Sequence, residues 1–133
     1  MVVCDFIIEG TPISAQGSSD ARRAWKKYVA DRATVARGDF HSVDSDTFTL
    51  RIAYFYESAP AADLDNIIKP IQDALKGIIY GDDNQVSDLI ASMRDKPTGT
   101  AVPITPALAS AFTTSRDFLH VRVNHTTRIE AYR

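Results

Sequence analysis

Hydrophobic and polar residues alternate along several parts of this chain, and the period of the alternation predicts secondary structure. Residues 47–56 alternate with a period of two, which places Phe48, Leu50 and Ile52 on one side of a strand. Residues 2–9 form a short, apolar and β-branched segment that ends at a Gly-Thr-Pro turn, so they predict an opening strand. Two further strands are predicted over residues 86–93 and 118–124.

Apolar residues at three- and four-residue steps predict helices in two other regions. Trp25 and Val29 lie on the apolar face of the first helix, which Ser18 or Ser19 can cap and which ends before Gly38. A second helix is predicted from about residue 65 to residue 76, and a short one after residue 106.

Strands and helices are therefore mixed along the chain, without a strict alternation of β and α elements. This order predicts an α+β fold, with a mixed, mainly antiparallel sheet of about four strands packed with two or three helices. We expect one domain that spans residues 1–133, because neither a linker nor an internal repeat divides the chain.

Composition narrows the class of protein. Hydrophobic residues make up 44% of the chain and charged residues 24%, which is typical of a folded globular domain and excludes disorder. No apolar run is long enough to span a membrane, and the N-terminal segment lacks the basic start of a signal peptide, so a cytoplasmic location is expected. The lone cysteine, Cys4, excludes an intramolecular disulfide and a thiolate zinc site, and we expect it to be buried.

The charges are segregated along the chain. A formal net charge of −2 by itself disfavours a nucleic-acid partner, yet residues 21–37 carry six basic side chains against Asp31 alone. The acidic residues collect in two other regions, residues 39–46 and 63–88. A basic segment beside an acidic cluster suits a protein that binds phosphates and a divalent cation. A basic helix face that simply meets solvent explains the same segment equally well.

The acidic cluster contains a pattern that indicates metal-dependent chemistry. Asp63 and Asp65 are two residues apart, so in an extended segment their carboxylates project from one face and repel each other unless a cation lies between them. Lys69 follows on a helix that Asp65 or Asn66 can cap, and Asp83 comes from a turn beyond that helix. If the chain folds back, carboxylates and a lysine form a hard-oxygen site suited to Mg²⁺ and to attack of a bound water on phosphorus.

Each member of this cluster also has a structural interpretation. Asp65 can be merely a helix cap, Asp73 can pair with Lys69 one turn away, and Asp82 and Asp83 can form a solvated turn. The scattered histidines are expected to be surface or hydrogen-bonded groups, and Trp25 is expected in the core.

The segment from residue 63 reads DLDNIIKPIQDAL and is followed by DDNQV, which resembles the signature of the RusA family of Holliday junction resolvases. The resemblance implies a single RusA-like domain and a bacterial or phage-encoded endonuclease, homodimeric and Mg²⁺-dependent, with Mn²⁺ as an expected substitute. Such an enzyme resolves four-way DNA junctions by paired symmetric nicks in recombination and repair. By motif position, the catalytic residues are Asp63, Asp65, Lys69 and Asp83, of which the three aspartates bind the metal. Asn66, Asp73 and Asp82 take supporting positions. The basic side chains of the first helix, Arg22, Arg23, Lys26 and Lys27, are then expected to bind DNA.

Other functions remain open on the sequence alone. One alternative is a nuclease of the same family that cuts branched or flapped DNA, and another is a module that binds branched DNA without cutting it. A metal–nucleotide site built on the Asp-x-Asp pair is disfavoured, because the chain has no glycine-rich phosphate loop.

Overall fold

Four strands and three α-helices make up the part of the chain that the computed structural model describes, which is residues 1–96, 106–113 and 116–126. In chain order they are β1 (Val2–Glu9), α1 (Ser19–Arg37), β2 (Phe48–Tyr56), α2 (Leu64–Leu75), β3 (Val86–Asp95), α3 (Pro106–Ala111) and β4 (Phe118–His125), with a 3₁₀ turn (Asp83–Gln85) before β3. The predicted elements are thus confirmed, and their ends differ by no more than two residues from the predicted ones. Ser18 caps α1, as predicted, and its hydroxyl accepts a hydrogen bond from the Ala21 amide.

The strands form one mixed sheet in the order β1-β4-β2-β3. Strand β4 lies between β1 and β2 and is antiparallel to both, whereas β2 and β3 are parallel. The predicted α+β class and mainly antiparallel pairing are confirmed. The expected lack of alternation was wrong, because strands and helices alternate strictly from β1 to β3. Helix α1 after β1, and helix α2 after β2, returns the chain to the end of the sheet at which the preceding strand began. The antiparallel character therefore comes from β4 alone.

Helices α1 and α2 cover one face of the sheet. The even-numbered residues of β2 point to this face, where Leu50 and Ile52 pack with Trp25 of α1 and Ile67 of α2 in the main core. Helix α3 covers one end of the opposite face, where it packs near Phe55. The remainder of that face, beyond α3, is called the open face below and carries Thr49, Arg51, Ala53, Ile90, Ser92, His120, Arg122 and Asn124.

Helices α1 and α2 lie side by side and run in the same direction. Near their starts, the Ala15 amide donates to the Asn66 carbonyl at 2.8 Å, and near their ends Arg37 donates to the Ile78 carbonyl at 3.0 Å. The Asn66 carbonyl is free for this contact because Pro70, four residues on inside α2, has no N–H to donate to it. The carbonyl that the proline leaves free therefore holds the segment before α1 against the first turn of α2.

Among the helices of the described residues, none has the length and apolar character that a membrane span requires.

Candidate active site

The first two acids of the motif lie at the start of α2. Asp63 is the N-cap residue, with an extended backbone and no side-chain capping bond, and Asp65 lies in the first helical turn. Both are exposed, and their carboxylates make no hydrogen bond or ion pair with any described residue. The predicted extended pair was wrong, because the helix begins before Asp65 rather than at or after it. Acidic residues at this end are favoured by the exposed amides of the helix start.

Lys69 lies on the next turn of α2 and is paired with Asp73. Its Nζ lies 2.6 Å from Asp73 Oδ1, which is the one-turn ion pair that the structural interpretation predicted. The pKa of Lys69 is raised, chiefly by this hydrogen bond and next by the charge of Asp73. Burial opposes the rise, and the charge of Asp83 adds a smaller contribution to it. Lys69 is therefore a cation at neutral pH, able to stabilise negative charge but not to act as a general base.

The chain folds back after α2 and brings Asp83 beside the polar side of the helix. Gly77 adopts a φ of +86°, and the Tyr80 hydroxyl donates to the Gln72 carbonyl at 2.8 Å, which ties the reversed chain to α2. Asp83 Oδ2 lies 3.9 Å from Lys76 Nζ just past the end of α2. The charge of Asp83 also contributes to the raised pKa of Tyr80, which is due first to burial.

The structure thus brings Asp83 beside Lys76 and within electrostatic reach of Lys69, while Asp63 and Asp65 lie at the start of α2. Within the described residues, no three Asp, Glu, His or Cys side chains are grouped closely enough to bind a metal ion.

The donor chemistry of Asp63 and Asp65 nevertheless fits Mg²⁺. Both carboxylates are exposed and free of other described partners, and Mg²⁺ in proteins commonly takes one or two carboxylates while waters and substrate phosphates fill its remaining positions. A site of this kind needs no closed protein cage. Asp63 and Asp65 are the residues that would hold the ion.

Asp82 and Gln85 shape the turn that presents Asp83. Asp82 and Gln85 form a capping box around the 3₁₀ turn, with Asp82 Oδ1 accepting from the Asn84 amide at 3.2 Å. Gln85 is only 5% exposed, and its Oε1 also accepts from the Gly81 amide at 2.7 Å. Its Nε2 donates to the backbone carbonyls at positions 43 and 46, at 2.9 and 3.2 Å. The side chain of Asp82 is therefore used within the turn, and that of Asp83 is exposed.

Gln85 was missed as a positioning residue, although the Asp-x-x-Gln spacing of a capping box is visible in the sequence. The bonds to positions 43 and 46 have no such local signal, because they join loops some forty residues apart.

A second network fixes the loop that leads to Asp63. The Tyr54 hydroxyl donates to Asp117 Oδ2 at 2.6 Å and accepts from the Ala61 amide at 3.3 Å, and Asp117 Oδ1 accepts from the Glu57 amide at 3.0 Å. Burial first, and then the hydrogen bond to Asp117, raise the pKa of Tyr54 above its ordinary value, so the hydroxyl is protonated at neutral pH. No sequence signal predicts this network, because Tyr54 lies in β2 and Asp117 directly precedes β4, 63 residues further along the chain.

The basic side chains of α1 lie around its solvent side. Lys26 is exposed with no charged partner among the described residues, whereas Arg23 pairs with Asp20 and Lys27 with Asp31. Arg22 is half-buried. The opposite side of α1, with Trp25, is buried, as predicted. The contact between Ala15 and Asn66 places the start of this basic helix near the start of α2.

His120 Nε2 lies 2.7 Å from Asp5 Oδ1, as expected of a hydrogen-bonded histidine, and His125 Nε2 lies 3.6 Å from Asp46 Oδ1. Cys4 is buried, as predicted.

Comparison with protein families gives a match over most of these elements. A family model described as endodeoxyribonuclease RusA matches residues 18–105, a range that runs from the cap of α1 through α2 and past β3. A search of curated proteins found no match.

Proposed function

Because this chain belongs to the endodeoxyribonuclease RusA family, and is therefore an enzyme that hydrolyses DNA, we propose that it resolves four-way junctions. In this proposal the enzyme makes paired symmetric nicks, depends on Mg²⁺, accepts Mn²⁺, and acts in DNA recombination and repair. The observation that carries the proposal is the state of the motif residues. Asp63 and Asp65 are exposed carboxylates with no described partner, and Lys69 is a cation held by Asp73.

The residues divide the work as follows. Asp63 and Asp65 hold the metal ion, which when bound supplies a polarised water as the nucleophile. Lys69 stabilises the negative charge that develops on the phosphate during attack, and Asp73 keeps the ammonium group protonated and in place. Asp83 is the third acid of the motif. Gln85 fixes the turn that presents Asp83, because its Oε1 accepts from the amides of Gly81 and Asp82.

The acids are tested by substitutions that keep side-chain size and remove charge. Asp63→Asn, Asp65→Asn and Asp83→Asn should each sharply reduce cleavage of a labelled four-way junction in Mg²⁺. DNA binding should survive or tighten, because less negative charge then faces the phosphates. Asp44→Asn, at an exposed acid outside the motif, is the matched control and should cut normally. Full activity of Asp83→Asn would return that residue to the solvated-turn interpretation.

The same assay decides between the substrates. Wild-type protein is incubated with four-way, flapped and linear DNA, each with Mg²⁺ and with a chelator. Preferential cutting of the four-way DNA supports the proposal. Equal cutting of flaps would favour the branched-DNA nuclease, and binding without any cutting would favour the non-cleaving module.

We propose that Arg22, Arg23, Lys26 and Lys27 contact DNA phosphates. If they do, neutralising all four should weaken binding to every DNA and flatten its salt dependence by about 0.9 in log–log slope for each lost contact. An unchanged slope would mean that this side of α1 meets only solvent.

We also propose a homodimer. A four-way junction has two-fold symmetry, and one chain contributes one acidic motif, so two symmetric nicks are most simply made by a C₂ pair. The outer edge of β1, which pairs only with β4 in the described part of the sheet, is one candidate interface. The other candidate is residues 97–114, of which residues 97–105 and 114 lie outside the described residues.

Light scattering should report about twice the chain mass of 14.7 kDa. Mixing wild-type subunits with Asp65→Asn subunits should leave junctions nicked on one strand and unresolved. A stable monomer that still makes paired cuts would refute the dimer.

A further inference from the structure

The open face carries a row of charged residues that face one another across the sheet. Asp5 of β1 pairs in register with Arg122 of β4, Arg122 with Arg51 of β2, and Arg51 with Ile90 of β3. Directly opposed residues on neighbouring antiparallel strands have Cβ atoms about 5 Å apart, and like charges at such a pair are destabilising. An anion between the two opposed guanidinium groups would relieve this repulsion.

The protein supplies only part of that negative charge. Asp5 Oδ2 lies 3.7 Å from Arg122, while its other oxygen lies 2.7 Å from His120 Nε2, so one carboxylate serves two basic groups. Arg51 is exposed and makes no ion pair or hydrogen bond with any described residue. Asp88, two residues before the partner of Arg51 on β3, accepts instead from the hydroxyls of two neighbours, Thr49 and Ser87.

The arginines line a groove rather than a flat surface. Two cavities of about 360 and 500 Å³ adjoin on the open face and share Arg51, Ile90 and Asn124 as lining residues. The side-chain oxygen of Asn124 is buried without a hydrogen-bond partner in the described structure.

We propose that this groove binds the sugar–phosphate backbone of DNA, with a phosphate held between Arg51 and Arg122. The occupant follows from charge complementarity, because an unpaired guanidinium opposite a second one matches the paired oxygens of a phosphate. The proposal rests on DNA being the substrate, as proposed above. It adds a contact surface on the face of the sheet opposite α1 and α2, where a second arm of a branched DNA can lie.

The test compares two arginine substitutions in a DNA-binding assay without cleavage. Affinity for a fluorescent four-way junction is measured by anisotropy in chelator over a range of salt concentrations. Arg51→Gln should weaken binding about eightfold at 0.1 M salt and reduce the log–log slope by about 0.9, as expected for one lost phosphate contact. Arg116→Gln, at an exposed arginine outside the groove, removes the same charge and should keep the wild-type slope.

Two further measurements keep the result interpretable. Arg51→Lys retains the charge and should keep a slope close to that of the wild type. The melting temperature of Arg51→Gln should not fall, because the substitution relieves a like-charge pair. If it does fall, the salt dependence of Arg51→Lys is compared with that of Arg116→Gln instead. A log–log slope of Arg51→Lys that is reduced by about 0.9, although its charge is retained, would overturn the proposal.

The proposal is overturned if Arg51→Gln matches Arg116→Gln in affinity and slope, or if wild-type protein binds no DNA. It is also overturned if Arg51→Gln changes only the mass in light scattering, since the groove would then be a subunit interface. Junctions that are cut while the slope is unaffected would refute the groove and leave the nuclease intact. A reduced slope with no cutting in Mg²⁺ would refute the junction-cutting proposal and support the groove.

Discussion

The sharpest structural prediction concerns Gln85, whose side chain joins the turn before β3 to the loop before β2. Gln85→Ala removes acceptor contacts to the amides of Gly81 and Asp82, at 2.7 and 3.1 Å, and donor contacts to the carbonyls at positions 43 and 46, at 2.9 and 3.2 Å. A typical intramolecular hydrogen bond contributes a net of about 0.5–1.5 kcal/mol. The surrounding turn is partly exposed, so water can replace some contacts. We therefore expect a loss of about 2–4 kcal/mol in the free energy of unfolding.

The assay is urea denaturation followed by circular dichroism, with Asn84→Ala as the matched control in the same turn. The side chain of Asn84 is exposed and makes no hydrogen bond within the described residues, so its removal should change stability by no more than about 0.5 kcal/mol. Gln85→Glu keeps the acceptor for the two amides but loses the donor to the two carbonyls, so its effect should be at least half that of alanine.

Gln85→Ala should also slow single-turnover cleavage without weakening junction binding, because Asp83 then lacks its fixed turn. If Gln85→Ala is no less stable than Asn84→Ala, the four contacts contribute nothing net and this reasoning is refuted.

Three more predictions follow from the same structure. Lys69→Ala should lower the single-turnover cleavage rate by a factor of about 10²–10³, with little change in junction affinity. Asp73→Asn should lower the rate less, because the charge of Lys69 remains. A loss of affinity at an unchanged rate would make Lys69 a binding residue only. Tyr54→Phe should cost about 1–3 kcal/mol in urea denaturation because it leaves the half-buried carboxylate of Asp117 without its strongest donor, and stability equal to wild type would contradict that role. Burial raises the pKa of Cys4 from 9.0 to about 12, so the folded protein should react slowly with thiol reagents at pH 8. Stability should decline as the pH rises from about 9 toward 12, because the thiol then ionises in the unfolded chain first, and the decline should be less steep in Cys4→Ala. Rapid labelling of the native protein at pH 8 would contradict this.

The sequence predicted the elements of this fold because their signals are local. The alternation in β2 and the three- and four-residue steps in α1 reflect which side of each element is buried, and Ser18 and Gly38 mark the ends of α1 through their own backbone preferences. The acidic motif was equally visible, because it lies in one continuous segment, residues 63–86, that forms one helix and the turn after it.

Contacts between distant segments were decided only by the tertiary structure. The insertion of β4 between β1 and β2 brings Asp5, Arg122 and Arg51 into one row, although each comes from a different strand and no short segment contains two of them. The same holds for the bonds from Tyr54 to Asp117 and from Gln85 to the loop before β2. The physical reason is that local periodicity determines which face of an element is buried, whereas the choice of neighbouring strand depends on packing the whole chain.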